Sequence, residues 1–341
     1  MKNAQDILRE ALVVDCHLDI GFDLELKYEK GRRNVLMEEY YDTLKAGGVD
    51  VVFAACFADT RYLPEQGLRR IIDEIARIYE EVDSSNGAFV IVKSTQDILK
   101  AREKGQIGIL LAIEGVEPLG GDILALRSLY ELGVRVVSLC WSRSGWAADG
   151  ARFVPVEEYE GYGLTEAGRE FVAYAEKLGI LIDVSHCNLK SFWGVVEATK
   201  KPFMATHSNA YQLSPVARNL DDQQIRAIAE RGGVIGINGA SIIVNYSQPE
   251  KACLDDMGEH LLYEKKIGSP KILAVGLDQA ERIGDACDSL IGKEIFDVIP
   301  THEKMPEFVD MLIRKGFSEE EIRGILGENI LDLLRRTIDK E

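Results

Sequence analysis

The sequence has no pair of cysteines at CxxC spacing, no glycine-rich nucleotide fingerprint, no cluster of basic residues, and no apolar run near the ~20 residues needed to span a bilayer. Each absence removes a class of protein. The six cysteines in 341 residues, at 16, 56, 140, 187, 253 and 287, are scattered. Cys16, Cys56 and Cys140 lie in apolar runs, where cysteine behaves as a small buried hydrophobe, so reduced thiols are expected rather than a disulfide-stapled secreted fold. The N-terminal MKNAQDILREALVVD carries charges where a secretory signal is apolar. The expectation is a cytoplasmic protein with no membrane partner. Neither GxGxxG after the first apolar run nor a P-loop occurs, which argues against an open nucleotide-binding sheet. With 40 Lys and Arg against 57 Asp and Glu, the formal net charge is −17. Nothing here would track a phosphate backbone, and nucleic acid is not expected as a partner.

What is present is enough for a large core, with 46% hydrophobic residues, and a regular alternation of strand-like and helix-like segments. Main strands are expected at 11–16, 48–58, 107–115 and 134–141. Four more follow in LGILIDVSH ending at His186, PFMATH ending at His207, GGVIGIN, and ILAVGLD ending at Asp278. A short extra strand is expected over 88–94. Helical periodicity covers 64–83, 164–178, 188–199, 220–231 and about 250–267, with another helix after a cap at Ser94 or Thr95 that stops at Gly105. The C-terminal stretch reads as two helices broken at Gly316, the second opened by a capping box of Ser318 and Glu321. Eight buried, β-branched strands each followed by a helix predict a closed (β/α)8 barrel, the TIM-barrel architecture. No linker or repeat interrupts it, so residues 1–341 are read as one catalytic domain with C-terminal helices. The long polar loop after the 134–141 run suggests a lid or pocket wall.

The chemistry starts in ALVVDCHLDIGFD. In an extended strand His17 and Asp19 project from the same face, and an imidazole with a carboxylate is a natural pair of ligands for a divalent ion. In a barrel of this kind functional groups sit at the C-terminal strand ends. There the sequence offers His17, Asp19, Glu114, His186, His207 and Asp278. Three of only five histidines fall at those ends; His260 and His302, in polar contexts, are expected on the surface. The set suggests two adjacent ions, one held by His17 and Asp19 and the other by His186 and His207, bridged by Glu114. Ions roughly 3.5–4 Å apart would hold a water between them and lower its pKa. Asp278 would take the proton of that nucleophile and pass it to the leaving group.

The order DCHLD, IEG, DVSH, ATHSNAY, ARNL and LGENILDLL resembles the renal (membrane) dipeptidase family of zinc metallopeptidases, over most of the chain. The resemblance implies an amidohydrolase-like barrel that hydrolyses dipeptides, some with a C-terminal D-residue, at two zinc ions. It implies His17 and Asp19 as ligands of the first zinc, Glu114 as the bridge, and His186 and His207 as ligands of the second. Arg218, within ARNL, falls where the family grips the dipeptide's free carboxylate, a role that suits a planar guanidinium. Three positions depart from the family pattern. Leu18 replaces an asparagine. Trp141 stands where some members have a histidine that binds the substrate carbonyl, so it is expected to line the substrate pocket, with Arg143 a candidate replacement donor. The loop after Asp278 also differs.

The expected activity is therefore zinc-dependent dipeptide hydrolysis. Two alternatives are a two-metal hydrolase of another small amide or lactone, and a non-catalytic barrel that binds a metal or peptide. A homodimer is the default assembly.

Overall fold

In a computed structural model that describes residues 2–156, 161–283 and 295–339, the apolar runs form eight strands. These are β1 (Val14–Leu18), β2 (Val51–Phe57), β3 (Phe89–Ile91), β4 (Ile107–Glu114), β5 (Val134–Ser138), β6 (Leu181–Asp183), β7 (Ile235–Ile237) and β8 (Leu273–Val275). Neighbours run in the order β6-β5-β4-β2-β1-β8-β7, with β3 beside β4, and every strand pair is parallel. β3 is thus the expected extra strand. The expected sixth main strand, PFMATH, is reduced to two single-residue parallel bridges, Met204 to Asp183 and Ala205 to Ile235. Those bridges span the gap between β6 and β7, so parallel pairing runs around the whole ring and the architecture is the predicted (β/α)8 barrel.

One apolar cluster draws Val14 and Cys16, Val51 and Phe53, Leu110 and Ala112, Val136, Leu181, Met204, Val234 and Ala274 from successive strands. It is shared with Ile330, Leu331, Leu333 and Leu334 of the C-terminal helix Asn329–Thr337. This interior is filled by side chains from alternate positions, as barrel packing requires. At the other end two glycines allow a close approach. A Cβ at Gly236 or Gly276 would lie 2.0 or 1.9 Å from the carbonyl oxygen of Thr206, so any larger residue would push back the segment that carries His207. Helix starts follow the sequence: Ser94, Thr165, Asn188 and Asp221 each cap a following helix, and Ser318 with Glu321 forms the expected box. Gly316, at φ 84°, separates Met305–Arg314 from Glu319–Arg323 as predicted. No helix among the described residues is long and apolar enough to cross a membrane.

Two expectations need correction. Several strands end before the residues assigned to their tips: β5 stops at Ser138, β6 at Asp183 and β8 at Val275. Trp141, His186 and Asp278 therefore stand on the turns just beyond, where the backbone reverses toward a helix. His260 and His302 are not on the surface; each is 1% exposed. His260 accepts from the Ala210 N–H at Nδ1 (3.1 Å) and pairs through Nε2 with the Val244 carbonyl (2.9 Å), and burial lowers its pKa. His302 Nε2 lies 2.7 Å from Asp15 Oδ2. The signal for His260 was helical spacing: Met257, His260, Leu261 and Glu264 share the buried face of Leu254–Ile267.

Glu264 on that face is fully buried, and neither carboxylate oxygen has a hydrogen-bond partner. Burial pushes its pKa well above the ordinary carboxylate value. A folded-state pKa raised above the unfolded one means stability is fully present below about pH 4.5 and falls as pH rises toward the folded value. Glu264→Met removes the unsatisfied acid at similar volume. The variant should unfold later in denaturant by about 1–3 kcal/mol at pH 5, with a larger gain at pH 8. A gain that is equal at the two pH values would refute this account.

Candidate metal centre

The first question is how odd-numbered His17 reaches the barrel mouth when Val14 and Cys16 supply the interior row. A regular strand would send it outward. The β1–β2 register resolves this: Asp15 pairs with Val52 but Leu18 pairs with Ala54, a one-residue slip. Such a bulge turns the following side chains, and His17 and Asp19 swing together toward the axis. Asp15 fixes the result. Its Oδ1 accepts from the backbone N–H of His17 (3.2 Å) and of Leu277 (3.0 Å), while Oδ2 faces His302.

Glu114 needs no such device, because it is the last residue of β4 on the same row as Leu110 and Ala112. His186 and Asp278 do. Both hold positive φ, 69° and 54°; the other described non-glycine residues with positive φ, Asn34 and Asn86, are asparagines. Asparagine, aspartate and histidine enter this region more readily than other side chains, yet for any non-glycine residue it still costs of order 1–3 kcal/mol. The conformation is held by contacts behind it: Ser142 Oγ lies 2.8 Å from His186 Nδ1, and Asn238 Nδ2 donates to Asp278 Oδ2 at 2.8 Å. His207 is fixed similarly, with Thr206 Oγ1 2.8 Å from its Nδ1 and donating to Asp183 Oδ2 at 2.7 Å. In His186 and His207 Nδ1 is thus occupied behind, and Nε2 faces the centre.

At the centre, His186 Nε2 is 2.8 Å from Glu114 Oε1 and 3.0 Å from His207 Nε2. Glu114 Oε1 is 3.7 Å from His207 Nε2 and 3.9 Å from His17 Nε2. His17 Nε2 lies 3.6 Å from Asp19 and 3.8 Å from Asp278, beyond hydrogen-bond length, and is buried with no partner. Three overlapping groups have donor atoms within 4.8 Å of one another: Glu114 with His186 and His207; His17 with Asp19 and Glu114; and His17 with His207 and Asp278. All five expected ligands and Asp278 thus converge on one place.

The electrostatics follow from burial and crowding. Burial pushes Glu114 up to about 8 against the pull of His17, and burial likewise raises Asp278. Burial and nearby positive charge drive His186 and His207 well below the ordinary imidazole value. At His17 burial pulls the pKa down, but Glu114, Asp19 and Asp278 outweigh it and the group is pushed up to about 10. Two neutral imidazoles, an orphaned third and three carboxylates form a donor set suited to divalent ions, and zinc fits its nitrogen-and-oxygen chemistry.

Arg218 is buried rather than a surface residue, and its Nε has no partner. It lines the same cleft as Asp19, Glu114, His186 and Asp278. Burial lowers its pKa, while Asp278 and Glu114 support its charge. Trp141 forms the cleft wall, with its ring 5.2 Å from that of Phe57 and 5.7 Å from that of His186. Arg143 does not take the donor role considered for it. Its guanidinium is spent below the wall on Glu117 Oε1 (2.9 Å), Thr60 Oγ1 (3.1 Å) and the Ala58 carbonyl (2.9 Å). Leu18, in place of the family's asparagine, is a core residue at 1% exposure. Part of the altered loop after Asp278 lies outside the described residues. Asp15, Ser142, Asp183, Thr206 and Asn238 were missed in the sequence. Ser142 and Thr206 flank singled-out residues, and Asp15 and Asp183 open the DCHLD and DVSH stretches, which were the hints available.

An uncharacterized dipeptidase of Schizosaccharomyces pombe is 25% identical over 98% of this chain and 82% of its own. A solved metallopeptidase from Rhodobacter sphaeroides, crystallised with a phosphinate mimic of the dipeptide L-Ala-D-Ala, is 25% identical with a TM-score of 0.83, covering 96% of this chain and 99% of that one. A solved dipeptidase described as a metallopeptidase of family M19 is also 25% identical, with a TM-score of 0.84 over 96% of this chain and 99% of that one. The sequence profile of the membrane dipeptidase family matches residues 1–340. The chain therefore belongs to the membrane dipeptidase family, peptidase family M19, a family of metallo-dipeptidases.

Proposed function

We propose that this chain, acting as one catalytic domain, hydrolyses dipeptides with two zinc ions held between His17, Asp19, His186 and His207 and bridged by Glu114. The observation that carries the reading is the position of Glu114, whose carboxylate belongs both to the His17–Asp19 group and to the His186–His207 group. The buried, partnerless Nε2 of His17 supports it further, since an orphaned buried nitrogen is costly without a ligand. When bound, a pair of divalent ions supplies Lewis-acid charge and brings the pKa of an attacking water toward neutrality.

The chain's own residues do the rest. Asp278 keeps Oδ2 on Asn238 and turns Oδ1 toward His17, where it is placed to accept the proton of the attacking water and deliver it to the departing amine. Arg218 is proposed to take the substrate's free carboxylate, which sets the length of the peptide. Trp141 and its aromatic neighbours exclude water from the cleft. A C-terminal D-residue is included in the substrate range, supported by the L-Ala-D-Ala mimic bound to the Rhodobacter relative.

Three outcomes are expected. Chelator-treated protein should lose dipeptide hydrolysis and regain it with zinc, and elemental analysis of the active form should count two equivalents per chain; one equivalent would end the two-ion reading. Arg218→Met should lower kcat/KM for a free dipeptide by about 10- to 100-fold, with little change for the same dipeptide as its C-terminal amide. Equal kcat/KM in wild type and variant would instead favour a substrate lacking a carboxylate. Thr206→Val keeps shape but removes the hydroxyl behind His207. It should weaken zinc affinity by about 10- to 100-fold in a competition titration with the folded circular-dichroism spectrum retained, and unchanged affinity would show that Thr206 does not position the ligand.

A further inference from the structure

The cleft over the metal centre has a marked division. Every ionisable side chain lining it among the described residues (Asp19, Glu114, His186, Arg218 and Asp278) belongs to the set already assigned, and the remaining wall is aromatic or aliphatic. That wall is not part of the main core. Ile242, Ile243, Ala240 and Val216 form a separate apolar cluster with Phe153 packed against it. Phe153 in turn stands 6.2 Å, ring to ring, from Trp141 and 6.4 Å from His186.

The position of this cluster relative to Arg218 assigns it to one end of the substrate. Val216 is in the cluster and Arg218 follows it closely in sequence. The intervening Ala217 donates its N–H to the Val154 carbonyl at 2.9 Å, which ties the arginine's segment to the strand of chain bearing Phe153. A dipeptide whose carboxylate rests on Arg218 carries its C-terminal side chain on the adjacent carbon, inside the cleft that Arg218 shares with Phe153, Ile242 and Ile243. A charged or amide side chain would find no described partner there and would lose its hydration. An apolar one would fill the wall.

We infer that Phe153, Ile242 and Ile243 form a subsite for the C-terminal side chain and make the enzyme selective for dipeptides ending in an apolar residue. This rests on the dipeptidase reading above and deepens it. Neither family membership nor the metal set requires it, because it depends on side chains away from the reacting bond.

The test is a series of dipeptides with N-terminal Ala and C-terminal Gly, Ala, Leu, Phe, Asp or Lys, in both stereochemical series, on the zinc-loaded protein. Leu and Phe should exceed Asp and Lys in kcat/KM by about tenfold or more. Phe153→Ala, on a partly exposed loop position, should lose activity in proportion to side-chain size, least with Gly and most with Phe. Phe153→Arg should move the preference toward C-terminal Asp. Comparable rates for Leu, Asp and Lys, or an equal loss for all substrates in Phe153→Ala, would overturn the subsite while leaving the dipeptidase reading standing. No hydrolysis of any member would take down both.

Discussion

Three carboxylates that share one buried place repel one another, and the structure around them is arranged to make that tolerable. Asp19, Glu114 and Asp278 all approach His17 Nε2 within 3.6–3.9 Å. In surroundings with little water such charges interact strongly, so the group demands positive charge at its heart. Arg218 provides some from the cleft wall. Of the histidines only His17, among the acids, is driven toward the charged form, while His186 and His207 are driven toward the neutral form that metal ligation needs. An acid cluster with donors on both sides of a shared carboxylate is complementary to compact divalent charge in a way that a single lysine could not match.

Holding that cluster has a conformational cost that the barrel meets elsewhere. A bulge turns His17 inward, and two non-glycine residues sit at positive φ. Backbone strain of this kind survives only where neighbouring structure over-determines it. The buried hydroxyls of Ser142 and Thr206 and the buried amide of Asn238 provide this from behind the side chains, and Asp15 provides it at the His17 backbone. Asp15 also reaches the turn after β8 and His302, so one buried carboxylate links the first strand, the last strand and the segment beyond it. The ring of parallel pairing at the 204–205 bridges is thin, yet the glycines at 236 and 276 let it close tightly.

The barrel and the convergence of the candidate ligands at one place were legible in the sequence because both are written in local pattern. β-branched runs separated by capped helices announce the strands, and polar residues that end apolar runs announce the mouth. Glu114 was read from its place at the end of the apolar 107–115 run, and the His17–Asp19 pair from its spacing. What local pattern cannot carry is pairing register. The slip that brings His17 inward exists only between two strands, and nothing in VVDCHLD alone reveals it. The burial of His302 was equally hidden, since its partner Asp15 lies at the opposite end of the chain. His260 differs, because its helical spacing beside Met257 and Leu261 was available and outweighed by the polar residues around it. Arg143 shows the reverse error: a cation near the expected pocket whose hydrogen bonds all run downward into the fold.

On the proposed reading, the two kinds of contact in the cleft select in different ways. A carboxylate on Arg218 gives a buried guanidinium a charged partner, and a substrate without one leaves its Nε unsatisfied, a penalty set by the presence or absence of one group. An apolar wall discriminates by buried area, so the rate falls by degrees as the side chain shrinks, and a smaller side chain is still accepted. The same site would then be strict about where the peptide ends and lenient about what stands at that end. Trp141 fits this division: an indole offers one N–H and a broad apolar face, so at this position the chain has wall area and at most one hydrogen-bond donor. Orientation of the scissile bond must therefore come from Arg218 on one side and the buried acid–histidine cluster on the other, with the aromatic wall setting only how well the remainder of the substrate is sheltered from water.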